Sequence, residues 1–183
     1  MKPKVKSQLL DKKGLKDTIQ RVVKDILSSK MDISNVVIIG MRTRGVPIAE
    51  RITEIISRKS GKKTKIGTID VTFYRDDFRI RLKQPEIQLS DIPFSIDEKD
   101  IILVDDVIFS GRTVRAALAA LMDYGRPSSI KLVSLVDRGH RELPIQPDFI
   151  GLEFMTKADE EIQVRVEEVD GEDGVFVVQI PKL

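Results

Sequence analysis

Short apolar runs, each closed by charged or small residues, alternate along this chain with stretches whose apolar positions recur every three or four residues. Leu15, Ile19, Val22, Val23, Ile26 and Leu27 keep helical spacing and predict one amphipathic helix. Val36–Ile39 reads as a short buried strand stopped by Gly40, and "MRTRG" as the loop after it. Pro47 suits a first helical turn, where its missing N–H costs nothing, and predicts a helix to about Ser57. "KIGTIDVTFY" is β-branched and alternating, as a strand should be. Ile101–Val104 and Ile130–Val136 are further buried strands, with a helix over Thr113–Tyr124 between them. Residues 75–97 hold many charges, two prolines and weak periodicity, which predicts an exposed excursion of β-ribbon kind. The last thirty residues give two short strands, Ile162–Val166 and Val175–Val178, around a "DGEDG" turn.

Apolar strands alternating with helices imply a parallel sheet covered on both faces. Ligands of such sheets sit beyond the carboxyl ends of the strands. Three segments leave those ends: Gly40–Gly45, Asp105–Thr113 and Asp137–Arg141. They are expected to converge on one cleft.

Composition narrows the class. A length of 183 residues suits one domain with a single sizeable core. No run approaches the roughly 18 apolar residues of a membrane span, and the start, "MKPKVKSQLLDKKG", lacks an apolar signal segment. The absence of cysteine excludes disulfides, thiolate zinc sites and cysteine nucleophiles, and fits a cytoplasmic protein. A single histidine, His140, excludes a multi-histidine metal site. Charge is segregated: residues 1–30 carry nine Lys/Arg against three Asp/Glu, net +6, and residues 153–183 carry three against nine, net −6. Two readings stand: an anionic partner at one end, or solvated faces of surface elements.

The most informative stretch is "IILVDDVIFSGRTVRAAL", from Ile101 to Leu118. Ser110, Gly111, Arg112 and Thr113 fall at the start of a helix, where unpaired N–H groups, two hydroxyls and the positive end of the helix dipole suit a phosphate dianion. Asp105 and Asp106 would repel phosphate, but carboxylates suit the neighbouring hydroxyls of a ribose, or magnesium through water. Ribose 5-phosphate satisfies both halves. A Walker loop and a G-x-G-x-x-G fingerprint are both absent. A response-regulator receiver carries its acidic pair after the first strand, whereas this one comes after residue 100.

"ILVDDVIFSGRT" resembles the 13-residue phosphoribosyl pyrophosphate signature of the type I phosphoribosyltransferases. The likeness extends over "GMRTRGVPIAERI", "GTIDVTFYRDD", "GRPSSIKLVSLVDRGHRELPIQPDFIG" and "VEEVDGEDGVFV". Together these are similar to the bacterial pyrimidine operon attenuation proteins that are also uracil phosphoribosyltransferases. "VDRGHRELP" with "TFYRDD" narrows the superfamily to that family.

The resemblance implies an α/β fold of type I phosphoribosyltransferase form, with a central parallel sheet flanked by helices and a small hood. It makes residues 1–183 one phosphoribosyltransferase domain, with the excursion at about 74–98 as a flexible active-site loop. It implies transfer of phosphoribose from phosphoribosyl pyrophosphate to uracil, giving UMP and pyrophosphate. Val107, Ile108, Phe109, Ser110, Gly111, Arg112 and Thr113 would bind the phosphoribosyl phosphate, and Asp105 and Asp106 the ribose. Arg42, Thr43, Arg44 and Gly45 would meet the pyrophosphate, with Arg75 on the excursion and Arg141 closing on the leaving group. Asp137 would place hydrated Mg²⁺. Purine enzymes of the superfamily carry an aspartate where this chain has Phe109, and its loss fits a pyrimidine whose ring N–H is already fairly acidic. Orotate is disfavoured by the "VDRGHRELP" match, and phosphoribosyl pyrophosphate synthetases need a chain roughly twice as long. The family also binds operon leader mRNA under UMP control, through a basic face of a dimer or higher oligomer. Here Lys16, Arg21, Lys24, Arg138 and His140 would supply that face. His140 is not assigned as a general base. One departure weighs against this half: after "DFIG" the family continues with lysine and a "PTSKSE"-like stretch, whereas this chain reads "LEFMTKADEE", with Leu152 and Glu153.

Overall fold

The period-2 pattern of the central strands divides the interior into two layers. In the computed structural model, which describes residues 4–71 and 90–180, β2 (Val36–Met41) and β4 (Asp100–Ile108) are each buried on both faces. Val36, Ile38, Ile102 and Val104 enter one hydrophobic cluster, while Val37, Ile39, Ile101 and Leu103 enter the other. The first cluster is covered by α1 (Lys12–Ser28) and α2 (Gly45–Ser60), the second by α3 (Arg112–Met122). Asp11 caps α1 by accepting from the Gly14 N–H at 2.7 Å. With β3 (Lys65–Ile69), β5 (Ser129–Asp137) and β6 (Phe149–Glu153), β2 and β4 form a five-stranded parallel sheet of order β3-β2-β4-β5-β6.

The order reverses between β2 and β4. The chain runs outward from β2 to β3, then crosses to the opposite side of β2 for β4, β5 and β6. The carboxyl ends of β2 and β4 therefore flank the crevice where such sheets bind ligands.

A second sheet joins the two ends of the chain. β1 (Lys4–Leu10) and β7 (Glu160–Arg165) flank β8 (Gly174–Gln179), both antiparallel to it, and a four-residue helix, α4 (Glu167–Asp170), lies between β7 and β8. This is the small unit beyond the parallel sheet that the family resemblance implies.

The two strands near the end were legible in the sequence, but β1 was not, because a run of alternating lysines reads as a solvated arm. β6 was also missed: its partly exposed Phe149–Glu153 makes a weak apolar signal, and only pairing with β5 defines it as an edge strand. The strand over 36–39 does not stop at Gly40 but runs through Met41, because Gly40 pairs with both Thr68 and Val104. A Cβ on Gly40 would lie 2.7 Å from the Val46 Cα, so glycine there admits α2 rather than ending the strand. β4 likewise outlasts the expected end at Val104. Its ladder with β2 ends there, but its ladder with β5 continues to Ile108↔Asp137, so Asp105 and Asp106 lie within the strand. Of the excursion, residues 72–89, and with them Arg75, lie outside the described residues. Its return is anchored: Thr68 and Asp91 exchange backbone hydrogen bonds of 2.8 and 2.9 Å, and Ile96 is fully buried beneath α3.

Candidate active site

Three segments meet at the carboxyl edge of the sheet. Gly45 brings the first: a Cβ there would sit 2.5 Å from the Val104 carbonyl oxygen and 3.4 Å from the Asp105 Cα, so only glycine lets the start of α2 lie against the end of β4. The third segment is tied to the second through the backbone. Arg138 N–H donates to the Ile108 carbonyl at 3.0 Å, and Glu142 and Leu143 N–H donate to the Ser110 carbonyl at 3.0 and 3.1 Å.

The acidic pair sits where β2 no longer covers β4. Asp105 is 6% exposed and its Oδ1 accepts from the Asp106 N–H at 3.0 Å. Burial pushes the Asp106 carboxyl up from its usual range, against the pull of the Arg44 guanidinium and a hydrogen bond with Asp105. Hard oxygen donors packed this closely fit a sugar diol or a hydrated divalent cation.

After the pair the chain turns sharply. Gly111 adopts φ +89° and precedes α3, and no side chain caps that helix. Its first-turn N–H groups lie beside Ser110 and the half-buried Thr113, an arrangement with the donors an anion needs. Arg112 turns away, its Nε donating to Glu142 at 2.6 Å. Val107 is half-buried, whereas Ile108 is enclosed in the core, its N–H on the Ser134 hydroxyl and its carbonyl taken by Arg138. Ile108 therefore holds the loop in place and cannot touch a ligand through its side chain. Ser134 is the polar residue sequence reading passed over. It is fully buried, accepts from Ile108 and donates to the Val136 carbonyl at 2.8 Å. The only signal was one serine inside an apolar run.

On the first loop, the Arg42–Thr43 peptide is cis and Thr43 is exposed. Arg42 reaches toward β3, with Nη2 on the Thr68 hydroxyl at 3.2 Å. Arg44 faces α4, donating through Nε and Nη2 to both oxygens of Asp170 at 3.0 and 2.7 Å. Asp170 was not legible as a site residue, since it lies in an acidic run 126 positions away.

On the third loop, Asp137 accepts from the Gly139 N–H at 2.8 Å and from Arg141 Nη2 at 2.6 Å, both side chains being 13% exposed. Arg141 also donates to the carbonyls of Phe109 and Ile145, each at 2.9 Å. Its fork thus ties this loop to the loop before α3. Arg138 stacks on the Phe109 ring at 4.2 Å and donates to the Thr156 hydroxyl and the Glu160 carbonyl at 2.8 and 2.6 Å. Burial lowers its pKa. His140, at φ +59°, places Nε2 2.9 Å from the Thr156 carbonyl and its ring edge-on to Phe109.

Of the basic residues on α1, Lys16, Arg21 and Lys24 are exposed, and Arg21 also donates to the Gly151 carbonyl, tying the helix to β6. The residues expected to form one basic face therefore divide. Lys16, Arg21 and Lys24 lie on a solvated helix, whereas Arg138 stacks on Phe109 and the exposed His140 stands edge-on to the same ring.

This arrangement has relatives. Residues 5–169 match the phosphoribosyl transferase domain family. The chain is 45% identical over 174 residues to the bifunctional protein PyrR of Pelotomaculum thermopropionicum, covering 95% of this chain and 96% of that one. It is 45% identical over 172 residues to the bifunctional protein PyrR of Clostridioides difficile, covering 94% and 97%. The chain belongs to the PyrR family of phosphoribosyltransferases. Among solved structures, the hypoxanthine-guanine phosphoribosyltransferase of Bacillus anthracis superposes with a TM-score of 0.70 at 18% identity, covering 97% of this chain and 99% of that one. The hypoxanthine phosphoribosyltransferase of Trypanosoma cruzi gives 0.69 at 16%, covering 97% and 98%. At such identities the likeness speaks for the fold. The PyrR family and the type I phosphoribosyltransferase fold are those expected from the signature.

Proposed function

We propose that the chain is a uracil phosphoribosyltransferase, joining uracil to phosphoribosyl pyrophosphate to give UMP and pyrophosphate, and that it also regulates pyrimidine operon transcription by binding leader mRNA under UMP control. The observation that carries the catalytic half is the acidic pair, Asp105 buried and Asp106 half-buried, set before the uncapped start of α3 at the topological switch point. The 5′-phosphate rests on Ser110, Gly111 and Thr113. The ribose hydroxyls donate to the carboxylates of Asp105 and Asp106, so the anomeric carbon presents one face to the base. Breaking the bond to diphosphate builds oxocarbenium character, as in glycoside cleavage. Donors of the Arg42–Gly45 loop and Arg75 receive the charge that leaves. Arg141, which donates to Asp137 and to the Phe109 carbonyl, stands on the third loop to close on the leaving group. Phosphoribosyltransferases generally use Mg²⁺ with this substrate; Asp105 and Asp106, with Asp137 through water, fit it by their hard oxygen donors, and when bound it neutralises charge on the diphosphate. Phe109 at the base end offers no carboxylate, which suits uracil over a purine.

The regulatory half rests on kinship with proteins named bifunctional and on the exposed cations of α1. We assign the protein to the cytoplasm as a homodimer or larger oligomer; among the described residues no helix is long and apolar enough to cross a membrane. The deciding assay is UMP formation from uracil beside the same assay with hypoxanthine, guanine and orotate. Uracil alone should turn over, and preference for any other base would overturn the assignment.

A further inference from the structure

The acidic segment after β7 docks on the helices through several ion pairs. Arg51 on α2 holds both Glu168 and Asp173 at 2.7 Å, and Lys12 reaches Glu167 at 2.6 Å. The segment is therefore secured without Asp170. Yet Asp170 is among its most enclosed carboxylates, its side chain 17% exposed. Its Oδ2 also accepts from the Val166 N–H at 3.0 Å, so the turn between β7 and α4 fixes the carboxylate before Arg44 arrives. Arg44 stands at the N-cap of α2, on the loop beside the acidic pair, and its charge is felt by Asp106. The clamp uses one side of the guanidinium, Nε and Nη2, and leaves Nη1 without a partner among the described residues.

We propose that Asp170 is a positioning residue for the diphosphate subsite, gripping one side of Arg44 so that the Nη1 edge is held toward the leaving group. This rests on the phosphoribosyltransferase reading above. A guanidinium on four rotatable bonds loses much freedom when it binds an anion, and a clamp that has already removed that freedom strengthens the contact. Arg44 is held at one end by a fixed carboxylate and offers a second set of donors at the other. Lysine could not do both, since its ammonium is a point charge without a fork. The carboxylate beside it also keeps Arg44 cationic, in the direction its shifted titration shows.

The test separates ligands with and without diphosphate. In Asp170→Asn, the KM for phosphoribosyl pyrophosphate and the Kd for inorganic diphosphate, measured with Mg²⁺, should each rise about tenfold, the scale of one charge-assisted contact. The Kd for UMP, which carries no diphosphate, should stay within about twofold. Adding Asp170→Asn to Arg44→Gln should bring no further loss, because the first substitution acts through the second residue. If Asp170→Asn fails to fold, Arg44→Lys supplies the reading, keeping the charge but losing the fork and giving the same split between ligands. Equal losses for UMP and diphosphate would make Asp170 a structural contact, and unchanged diphosphate affinity would make it inert; either overturns the proposal. A wild-type protein that forms no UMP would remove the underlying reading and this one with it. An active wild type with an indifferent Asp170→Asn would remove this one alone.

Discussion

Asp106 sets burial against charge. Its carboxyl is pushed up by desolvation, against the Arg44 charge and a hydrogen bond with Asp105. A raised folded value contributes stability below the unfolded value near 3.8, and that contribution is lost as pH rises through the folded value. Ionising this carboxyl is thus a cost carried for function. Asp105→Asn with Asp106→Asn should therefore lose most turnover while the melting temperature at pH 7 holds or rises. Near-normal UMP synthesis in that double variant would sink the ribose assignment. Thr113 is the complementary case, since Thr113→Val keeps volume and removes a hydroxyl. UMP affinity by calorimetry should fall by roughly 1.5–3 kcal/mol, the worth of a hydrogen bond to a charged group. Unchanged affinity with lowered stability would reduce Thr113 to a helix-start residue.

At the scale of elements, the site depends on strands that outlast their expected ends. β4 loses β2 as a partner after Val104 but keeps β5 to Ile108, and that half-covered stretch is where the carboxylates emerge. An apolar run marks where a strand is buried, not where its ladder stops, so the pattern 101–104 stopped short. The loop after β5 shows the same limit. Residue type gives Arg141 its charge but not its partners, and its fork meets Asp137, Phe109 and Ile145. Arg141→Met would leave a mostly enclosed carboxylate without its ion partner. Such losses run to roughly 3–5 kcal/mol when fully buried, and about 3 kcal/mol is expected here. Urea unfolding would show it as a lower midpoint at constant slope. An unchanged midpoint would deny this ion pair any weight in stability.

For the whole molecule, the segregated charges of the two ends find each other. Lys6 meets Glu160 at 2.6 Å, Lys12 meets Glu167, and Arg44 and Arg51 take Asp170, Glu168 and Asp173. Arginine and lysine partners hold Glu160, Glu168 and Asp170 below their usual values, chiefly through side-chain hydrogen bonds. For Asp173, burial works upward but the Arg51 bonds prevail. Depressed folded values contribute stability that is present above the unfolded values of 3.8 and 4.5 and lost as pH falls through the folded ones. Thermal unfolding should thus weaken steeply below about pH 4, and less steeply at 1 M salt, which screens the exposed pairs most. A melting temperature flat from pH 7 to pH 3 would deny the network any weight. The pairing also draws part of the basic start away from an RNA partner. On the proposed role of the exposed α1 cations, Lys16→Glu with Lys24→Glu should abolish leader-RNA binding while UMP synthesis persists. UMP should tighten that binding in the wild type, with a steep salt dependence. Equal RNA affinity in wild type and variant would exclude this helix.

The sequence by itself determined the α/β alternation, the three loops that carry the chemistry and the phosphoribosyl signature, because each is written in adjacent residues: an apolar run, a glycine, a pair of carboxylates. The proposed phosphate and ribose contacts are local in the same way, lying within nine positions from Asp105 to Thr113. Tertiary structure decided what depends on distant partners. β1 becomes a strand only because β8 lies beside it, Ser134 matters only because Ile108 needs an acceptor, and Asp170 meets Arg44 only because α4 folds back against the start of α2. A side chain's charge is local information, but the direction in which it spends its hydrogen bonds is set by whatever the fold brings within 3 Å.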